Sequence, residues 1–314
     1  MYMLPTDKDE VKRILNLFKT NSPGYDDIPP TLLNASSDLI NIPLAHTINL
    51  SLTTGYFPDQ LKQAKVVPVF KSGDKMDINN YRPISILPAF SKIYEKIICN
   101  RLLSYLEDNN LLVNHQHGFR SKHSTETAVL QFISNAYKCL EEKLFVIGIF
   151  TDLSKAFDTI DHTILLYKLN HIGIRGVTHR LFQNYLYKRR QSVYCNKQYS
   201  AIKQISKGVP QGSILGPILF LIYINDIINS SSKIEFTIYA DDTTLLMKDV
   251  NIDRLHETVA SELNNIDLWI KSNNLKLNIS KTNYIFFQNR SIKHVFPTVL
   301  LNGEKLTQVH TTKF

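Results

Sequence analysis

Two adjacent aspartates, Asp241 and Asp242, stand where two short β-forming runs meet, Ile234–Tyr239 and Thr243–Met247. Runs so short, apolar and rich in β-branched residues predict a hairpin with the Asp pair at its tip. Successive strand residues leave on opposite faces, so the two carboxylates project to different sides of the ribbon and, as like charges, repel. A turn that only reverses the chain is better served by Asn-Gly or Asp-Gly. A shared divalent ion relieves the repulsion, and hard oxygen ligands suit Mg²⁺, which is typically held by one or two carboxylates plus substrate phosphates. For the pair taken alone, the plain alternative is an exposed turn.

A third carboxylate sits in a comparable place. Leu144–Phe150 is a short β-rich apolar run, and Asp152 follows it directly. Alone, such a residue is a turn or cap position. Together with the pair, it completes a set suited to two metal ions about 4 Å apart, which activate an attacking hydroxyl and stabilise the departing oxygen of an in-line phosphoryl displacement.

Composition limits what else the chain can be. With 314 residues, 43% hydrophobic content, 16 Phe and 15 Tyr, it has material for a sizeable core, which excludes disorder. The net charge of +8 permits a polyanionic partner without requiring one. Its distribution says more: no acidic residue occurs from His162 to Asn225, whereas Lys168, Arg175, Arg180, Lys188, Arg189, Arg190, Lys197, Lys203 and Lys207 all do. A phosphate backbone is expected to find a track there, with a solvated basic face as the alternative. Cys99, Cys139 and Cys195 are odd in number and widely spaced, which argues against a disulfide framework or zinc site and for a reduced, intracellular setting. The longest apolar run, Ile214–Ile224, is about half of the roughly 20 residues a membrane span needs, and the N-terminus has no secretory pattern, so no membrane partner is expected.

Apolar spacing predicts helices over Val11–Phe18, within Leu32–Leu52, over Phe90–Leu106 and Thr125–Leu140, and from an N-cap at Asp161. Strands are expected at Lys65–Phe70, Leu144–Phe150 and Thr282–Phe287, with a hairpin over Ser192–Ile205. An apolar helix is expected from Gly212 to about Ile228, and an amphipathic one over Ile252–Ile270. The order describes an α+β fold, an antiparallel sheet with helices on one face.

The residues also carry a resemblance. Phe150-Thr-Asp-Leu-Ser-Lys-Ala-Phe-Asp158, Gly208-Val-Pro-Gln-Gly-Ser213 and Tyr239-Ala-Asp-Asp242 resemble, in order, the palm motifs of reverse transcriptases, most closely those of non-LTR (LINE-type) retrotransposons of the jockey and CR1 kind. Upstream, Ser22-Pro-Gly-Tyr-Asp-Asp-Ile28, Lys65-Val-Val-Pro-Val-Phe-Lys71 with Asn80-Tyr-Arg-Pro-Ile84, and His117-Gly-Phe-Arg120 resemble that family's fingers motifs. The resemblance implies an N-terminal flank over 1–20, fingers over 21–143, palm over 144–290 and the start of a primer grip over 291–314, with fingers and palm interleaved. Nothing resembles the apurinic-type endonuclease that often precedes such a polymerase, and no thumb is expected after His310-Thr-Thr-Lys-Phe314.

Residue by residue, the resemblance implies that Asp152, Asp241 and, second in importance, Asp242 hold two Mg²⁺ ions, or Mn²⁺, helped by the main-chain carbonyl of Leu153. Phe157 matches the steric gate that excludes a ribose 2′-hydroxyl, with core packing as its alternative. Gln211 and Gly212 match the loop against the incoming nucleotide, where Gly permits close backbone approach. Lys71 and Arg82 match triphosphate-binding cations, with surface charge as the alternative; Arg82, before Pro83, is expected in an ordered turn. Arg120 is expected to track the template backbone or support the fingers core, and Gly208 and Tyr239 to lie along template and primer. Lys281 matches the position that protonates departing pyrophosphate, or is a lysine flanking a strand.

RNA template, DNA primer and deoxynucleotides are the implied partners, and nuclear residence is implied by the family. A nucleic-acid-binding remnant without catalysis is a second reading, motivated by the basic stretch. A third is another palm enzyme, an RNA-dependent RNA polymerase or nucleotide cyclase, against which a bulky Phe157 speaks.

Overall fold

The computed structural model describes residues 1–19, 21–288 and 295–312. Helices α1 (Lys8–Asn16), α2 (Pro30–Ala35) and α3 (Ser37–Thr54) come first, then strands β1 (Gln63–Phe70) and β2 (Tyr81–Ile86). Helices α4 (Ala89–Asp108) and α5 (Thr125–Glu141) precede strand β3 (Phe145–Thr151) and helices α6 (Ala156–Thr159), α7 (His162–His171) and α8 (Gly176–Leu186). Strands β4 (Arg190–Cys195), β5 (Gln198–Tyr199) and β6 (Lys203–Gln204) lead to helix α9 (Leu215–Ile224), strands β7 (Glu235–Tyr239) and β8 (Asp242–Asp249), and helix α10 (Ile252–Ser272). Strands β9 (Asn283–Phe287), β10 (Leu300–Leu301), β11 (Glu304–Lys305) and β12 (Thr307–Gln308) follow. Of the expected primer-grip segment, residues 291–294, Lys313 and Phe314 lie outside the described residues. Among the described residues no helix is long and apolar enough to cross a membrane.

The chain forms two compact units, Met1–Leu111 with Ile160–Leu219, and Leu112–Thr159 with Phe220–Phe314. It passes from one to the other at 111–112, 159–160 and 219–220, boundaries that cut across the division into 21–143 and 144–290.

In the first unit, Asp7 caps α1 by accepting the amides of Asp9 and Glu10, and Val11, Ile14 and Leu15 bury its inner face. Phe57 stands edge-on to both Tyr94 and Tyr185, at 5.7 and 5.1 Å between ring centroids, tying α4 and α8 together. The sheet runs β2-β1-β4-β5, with β6 also on β4; β1 is antiparallel to β2 and parallel to β4. One expectation is corrected here. Arg82 and Pro83 lie in strand β2, not in a turn: Pro83 lies opposite Pro68 on an edge strand, and β4 reaches only Gln63–Val66 of β1, so neither proline interrupts a doubly paired ladder. The expected hairpin over Ser192–Ile205 is present: β4, which starts at Arg190, pairs antiparallel with both short strands after it.

The second unit holds the sheet β12-β9-β3-β8-β7, with β3 antiparallel to both β8 and β9. It is antiparallel except at its edge, where Thr307–Gln308 runs parallel to β9. Helix α5 covers one face: Phe132, Ala136 and Cys139 pack on Val146 and Leu246, and Gly148 leaves the space that the Phe132 ring fills. Ile147, Ile149, Leu245 and Met247, on the other face, are equally buried. Helices on one face is therefore too simple, because a strand with consecutive apolar residues such as Val146-Ile147 needs cover on both sides. All three cysteines are free, and burial pushes the Cys99 thiol up to about 11.

Candidate active site

In the second unit, the β7–β8 ladder ends at the pair Tyr239↔Asp242, which leaves Ala240 and Asp241 as the two central residues of the turn. Ala240 has φ +56°, a left-handed conformation that costs a non-glycine residue on the order of 1–3 kcal/mol and persists only where the surroundings enforce it. The surroundings are residues 115–118. The His117 amide donates to Ile238 O at 2.7 Å, and the Ile238 amide donates to His115 O at 2.8 Å, a short parallel bridge along β7. Gln116, only 1% exposed, accepts the amides of Ala240 at 3.0 Å and Gly118 at 2.7 Å through Oε1, while Nε2 donates to Ala240 O at 3.4 Å. A Cβ on Gly118 would lie 2.3 Å from the Ala240 nitrogen. The His117 ring is fixed between Thr127 and Gln131 of α5, and burial lowers its pKa. Arg120 turns back on its own loop, donating to Val113 O at 2.8 Å and Gln116 O at 3.3 Å.

Asp152 reaches the same place from β3. Thr151↔Thr243 closes the β3–β8 ladder, so Asp152 and Asp242 are the next residues on neighbouring strands. The chain beyond is zipped to residues 276–278: Asn278 N–H donates to Asp152 O and Ser154 N–H to Lys276 O, each at 2.8 Å. Leu153, between them, bridges Leu277 without spending its own carbonyl in these bonds. Asp152 Oδ2 is buried without a hydrogen-bond partner, with Lys281 Nζ 3.7 Å away. Burial and the charges of Asp241 and Asp152 raise the Asp242 carboxyl above the usual carboxylate range. The three carboxylates, distant in sequence, thus lie within each other's field.

The fit to Mg²⁺ rests on that oxygen, buried without a hydrogen bond, and on the repulsion Asp242 feels from its neighbours, both of which a cation relieves. Among the described residues no three His, Cys, Asp or Glu side chains are placed to hold a metal ion by themselves. An ion that completes its shell with water and substrate phosphates does not need such a set. Phe157, on α6, is partly buried with its ring 4.9 Å from that of Phe220, packed on one side and open on another.

The remaining candidates lie in the first unit. The Lys71 amide donates to Asn80 O at 2.9 Å, closing the loop between β1 and β2, and the Lys71 and Arg82 side chains are exposed. The Gln211–Gly212 loop docks on β2: the Ser85 amide donates to Gln211 O at 2.7 Å, and a Cβ on Gly212, at φ +117°, would lie 2.6 Å from Ser85 O. Gly208 has φ +80°; its amide donates to Ile160 O, and its carbonyl accepts from His162 Nε2, each at 2.7 Å. Arg189 corrects the reading of the basic stretch. It is 1% exposed, stacked 4.6 Å over the Tyr185 ring, and out of reach of any phosphate.

Residues 71–312 match the family model described as reverse transcriptase (RNA-dependent DNA polymerase). The chain belongs to the reverse transcriptase family. It is 30% identical over 315 residues to the RNA-directed DNA polymerase from mobile element jockey of Drosophila melanogaster, covering 98% of this chain and 34% of that one. The probable RNA-directed DNA polymerase from transposon BS of the same species is 29% identical over 99% of this chain and 36% of its own length. The chain thus spans about a third of the length of these relatives. In fold it is similar to telomerase from Candida albicans, solved with a TWJ fragment of telomeric RNA, at a TM-score of 0.53 and 13% identity over 80% of this chain and 47% of that one. Apo telomerase from Candida tropicalis, truncated from its C-terminal domain, gives a TM-score of 0.52 at 14% identity over 75% and 52%.

Two residues of this family member carry structural weight that its motifs do not announce. One is Gln116, just outside the His117–Arg120 motif. The other is Glu95, fully buried in α4, which accepts the Ile214 amide at 2.6 Å, the Leu215 amide at 3.4 Å and the Tyr185 hydroxyl at 3.0 Å. It thereby caps α9 immediately after the Gln211–Gly212 loop. The only signal in the sequence was a lone acid among the apolar residues of a helix.

Proposed function

We propose that this reverse transcriptase chain is the RNA-directed DNA polymerase of a non-LTR retrotransposon, adding deoxynucleotides to a primer 3′-hydroxyl on an RNA template. The observation that carries the reading is the convergence of Asp152 with Asp241 and Asp242 at adjoining strand ends, one carboxylate oxygen buried without a hydrogen bond and faced by the Lys281 ammonium at 3.7 Å. Two Mg²⁺ ions, or Mn²⁺ in their place, held by these carboxylates and the Leu153 carbonyl, would supply activation of the attacking hydroxyl and neutralise the departing oxygen.

The chain's own side chains do the rest. Lys281 carries a proton at Nζ beside Asp152 and gives it to the leaving pyrophosphate. Lys71 and Arg82 bind the triphosphate, Arg as a forked donor and Lys as a point charge. The close backbone approach of Gly212 to Ser85 seats the Gln211 loop on β2, and that loop lies against the incoming nucleotide. Gly208 and Tyr239 lie along template and primer, and Arg120 serves the template side through the loop it braces. Nuclear residence belongs to the same reading.

The test is primer extension on an RNA template with deoxynucleotides and Mg²⁺, abolished by a chelator and restored by excess Mg²⁺. Salt-sensitive RNA binding with no extension at any Mg²⁺ concentration would overturn this reading in favour of a binding remnant. Phe157→Ala is expected to relax sugar selection, lowering the preference for deoxynucleotides over ribonucleotides by on the order of 10- to 200-fold, the discrimination one apolar contact supplies. Competition between the two nucleotide types measures it. An unchanged ratio removes the gate assignment.

A further inference from the structure

We propose that Gln116 is the positioning residue of the catalytic hairpin: its buried amide holds the Ala240 turn in the conformation that presents Asp241. The inference rests on the polymerase reading for its consequence, and on geometry alone for the clamp. With φ at +56°, Ala240 is not in a conformation alanine chooses. Relaxing it to negative φ rotates the peptide plane before Asp241 and swings that carboxylate away from Asp152.

Three contacts oppose the relaxation, and Gln116 makes two of them. Oε1 accepts the Ala240 and Gly118 amides together, while Nε2 meets the Ala240 carbonyl, so both polar groups of the strained residue are bound to one side chain. The third is the close approach of Gly118, which leaves no space for the turn to move toward residues 115–118. At 1% exposure, water cannot replace the amide.

The choice of amide also follows. A glutamate would accept the same two N–H groups but would set a fourth negative charge near Asp242, whose ionisation burial, Asp241 and Asp152 already make costlier. Glutamine gives the acceptor without the charge, and it adds a donor for the carbonyl. The base on which it stands is rigid, because the neighbouring His117 is bonded to two side chains of α5 and its amide to β7.

The decisive variant is Gln116→Met, equal in length but unable to make these bonds. In the full chain, kcat for primer extension is expected to fall on the order of 10- to 100-fold with the KM for deoxynucleotide within about threefold, since displacing a reacting group by 1 Å costs up to 100-fold. Ala240→Gly in the same chain should restore most of the loss, because glycine adopts positive φ without help. A lowered melting temperature with unchanged kcat per folded molecule, or a loss that Ala240→Gly does not relieve, would overturn the proposal.

Two readouts do not depend on catalysis. Mn²⁺ affinity, read by water-proton relaxation, should fall at least about tenfold in Gln116→Met if the carboxylates separate, a tenfold change being about 1.4 kcal/mol. If that variant does not fold, amide hydrogen exchange on the unsubstituted chain decides: Ala240 and Gly118 must be protected as strongly as the β3–β8 ladder, and exchange at the rate of an exposed loop sinks the clamp. Protected amides in a chain that extends no primer would remove the polymerase reading and leave the clamp standing.

Discussion

Asp241→Asn is expected to reduce primer extension by at least about a thousandfold while leaving the thermal midpoint of the metal-free protein unchanged or slightly raised. A thousandfold corresponds to about 4 kcal/mol of transition-state stabilisation, the scale of a lost metal contact at the reacting oxygens. The stability half follows from the field at the strand ends. Burial first, then Asp241 and Asp152, hold the Asp242 carboxyl above its ordinary value of 3.8. The folded chain therefore keeps that proton to higher pH than the unfolded chain does, and the site loses stability as pH rises from about 3.8 through the raised value. At neutral pH, removing a neighbouring charge relieves the strain, as expected where function is placed ahead of stability. Mg²⁺ separates the two effects: saturating metal at 100 times its dissociation constant stabilises a binding-competent fold by about 2.7 kcal/mol, so unsubstituted protein should melt higher with Mg²⁺ and Asp241→Asn should not. Full extension by Asp241→Asn, or an equal Mg²⁺ shift in both proteins, would remove Asp241 from the metal site.

How far the sequence alone leads depends on whether a residue's partners lie nearby in the chain. Asp161 was readable as a helix cap because the amides it accepts, of Thr163 and Ile164, are its own neighbours. The β7–β8 hairpin and β3 were readable because their apolar runs end at acidic residues. The six ordered motifs gave the family, and the family-model match bears that out. Strand β2 was not readable, because Pro83 signals a turn unless one knows that the strand lies at a sheet edge. Arg189 reads as one of the surface cations because charge alone predicts exposure; its burial depends on Tyr185 and on Glu95, far upstream in the chain. Gln116 is not legible for the same reason: the positive φ of Ala240 that makes it necessary is a property of the folded turn.

Glu95→Ala is expected to destabilise the protein by about 3–5 kcal/mol, a large part of the roughly 5–15 kcal/mol that typically holds a domain folded. The carboxylate is fully buried, and burial pushes its pKa up against the lowering influence of Arg189 and of the amides it accepts. Truncation leaves the Ile214 amide and the Tyr185 hydroxyl without their acceptor, and removes the charge that offsets Arg189, whose Nε and Nη2 already lack hydrogen-bond partners. A buried cation left alone is the costlier part, which gives the experiment its internal control. Arg189→Met in the Glu95→Ala background should recover part of the loss, because a well-packed apolar side chain needs no counter-charge, whereas Arg189→Met alone should destabilise by leaving the carboxylate uncompensated. Urea midpoints of the four proteins complete a double-mutant cycle. Additive losses would show that Glu95 acts only as the cap of α9. A large favourable coupling would show that the Gln211–Gly212 loop is anchored by a buried charge pair, and that a residue outside every motif fixes where the nucleotide loop begins its helix.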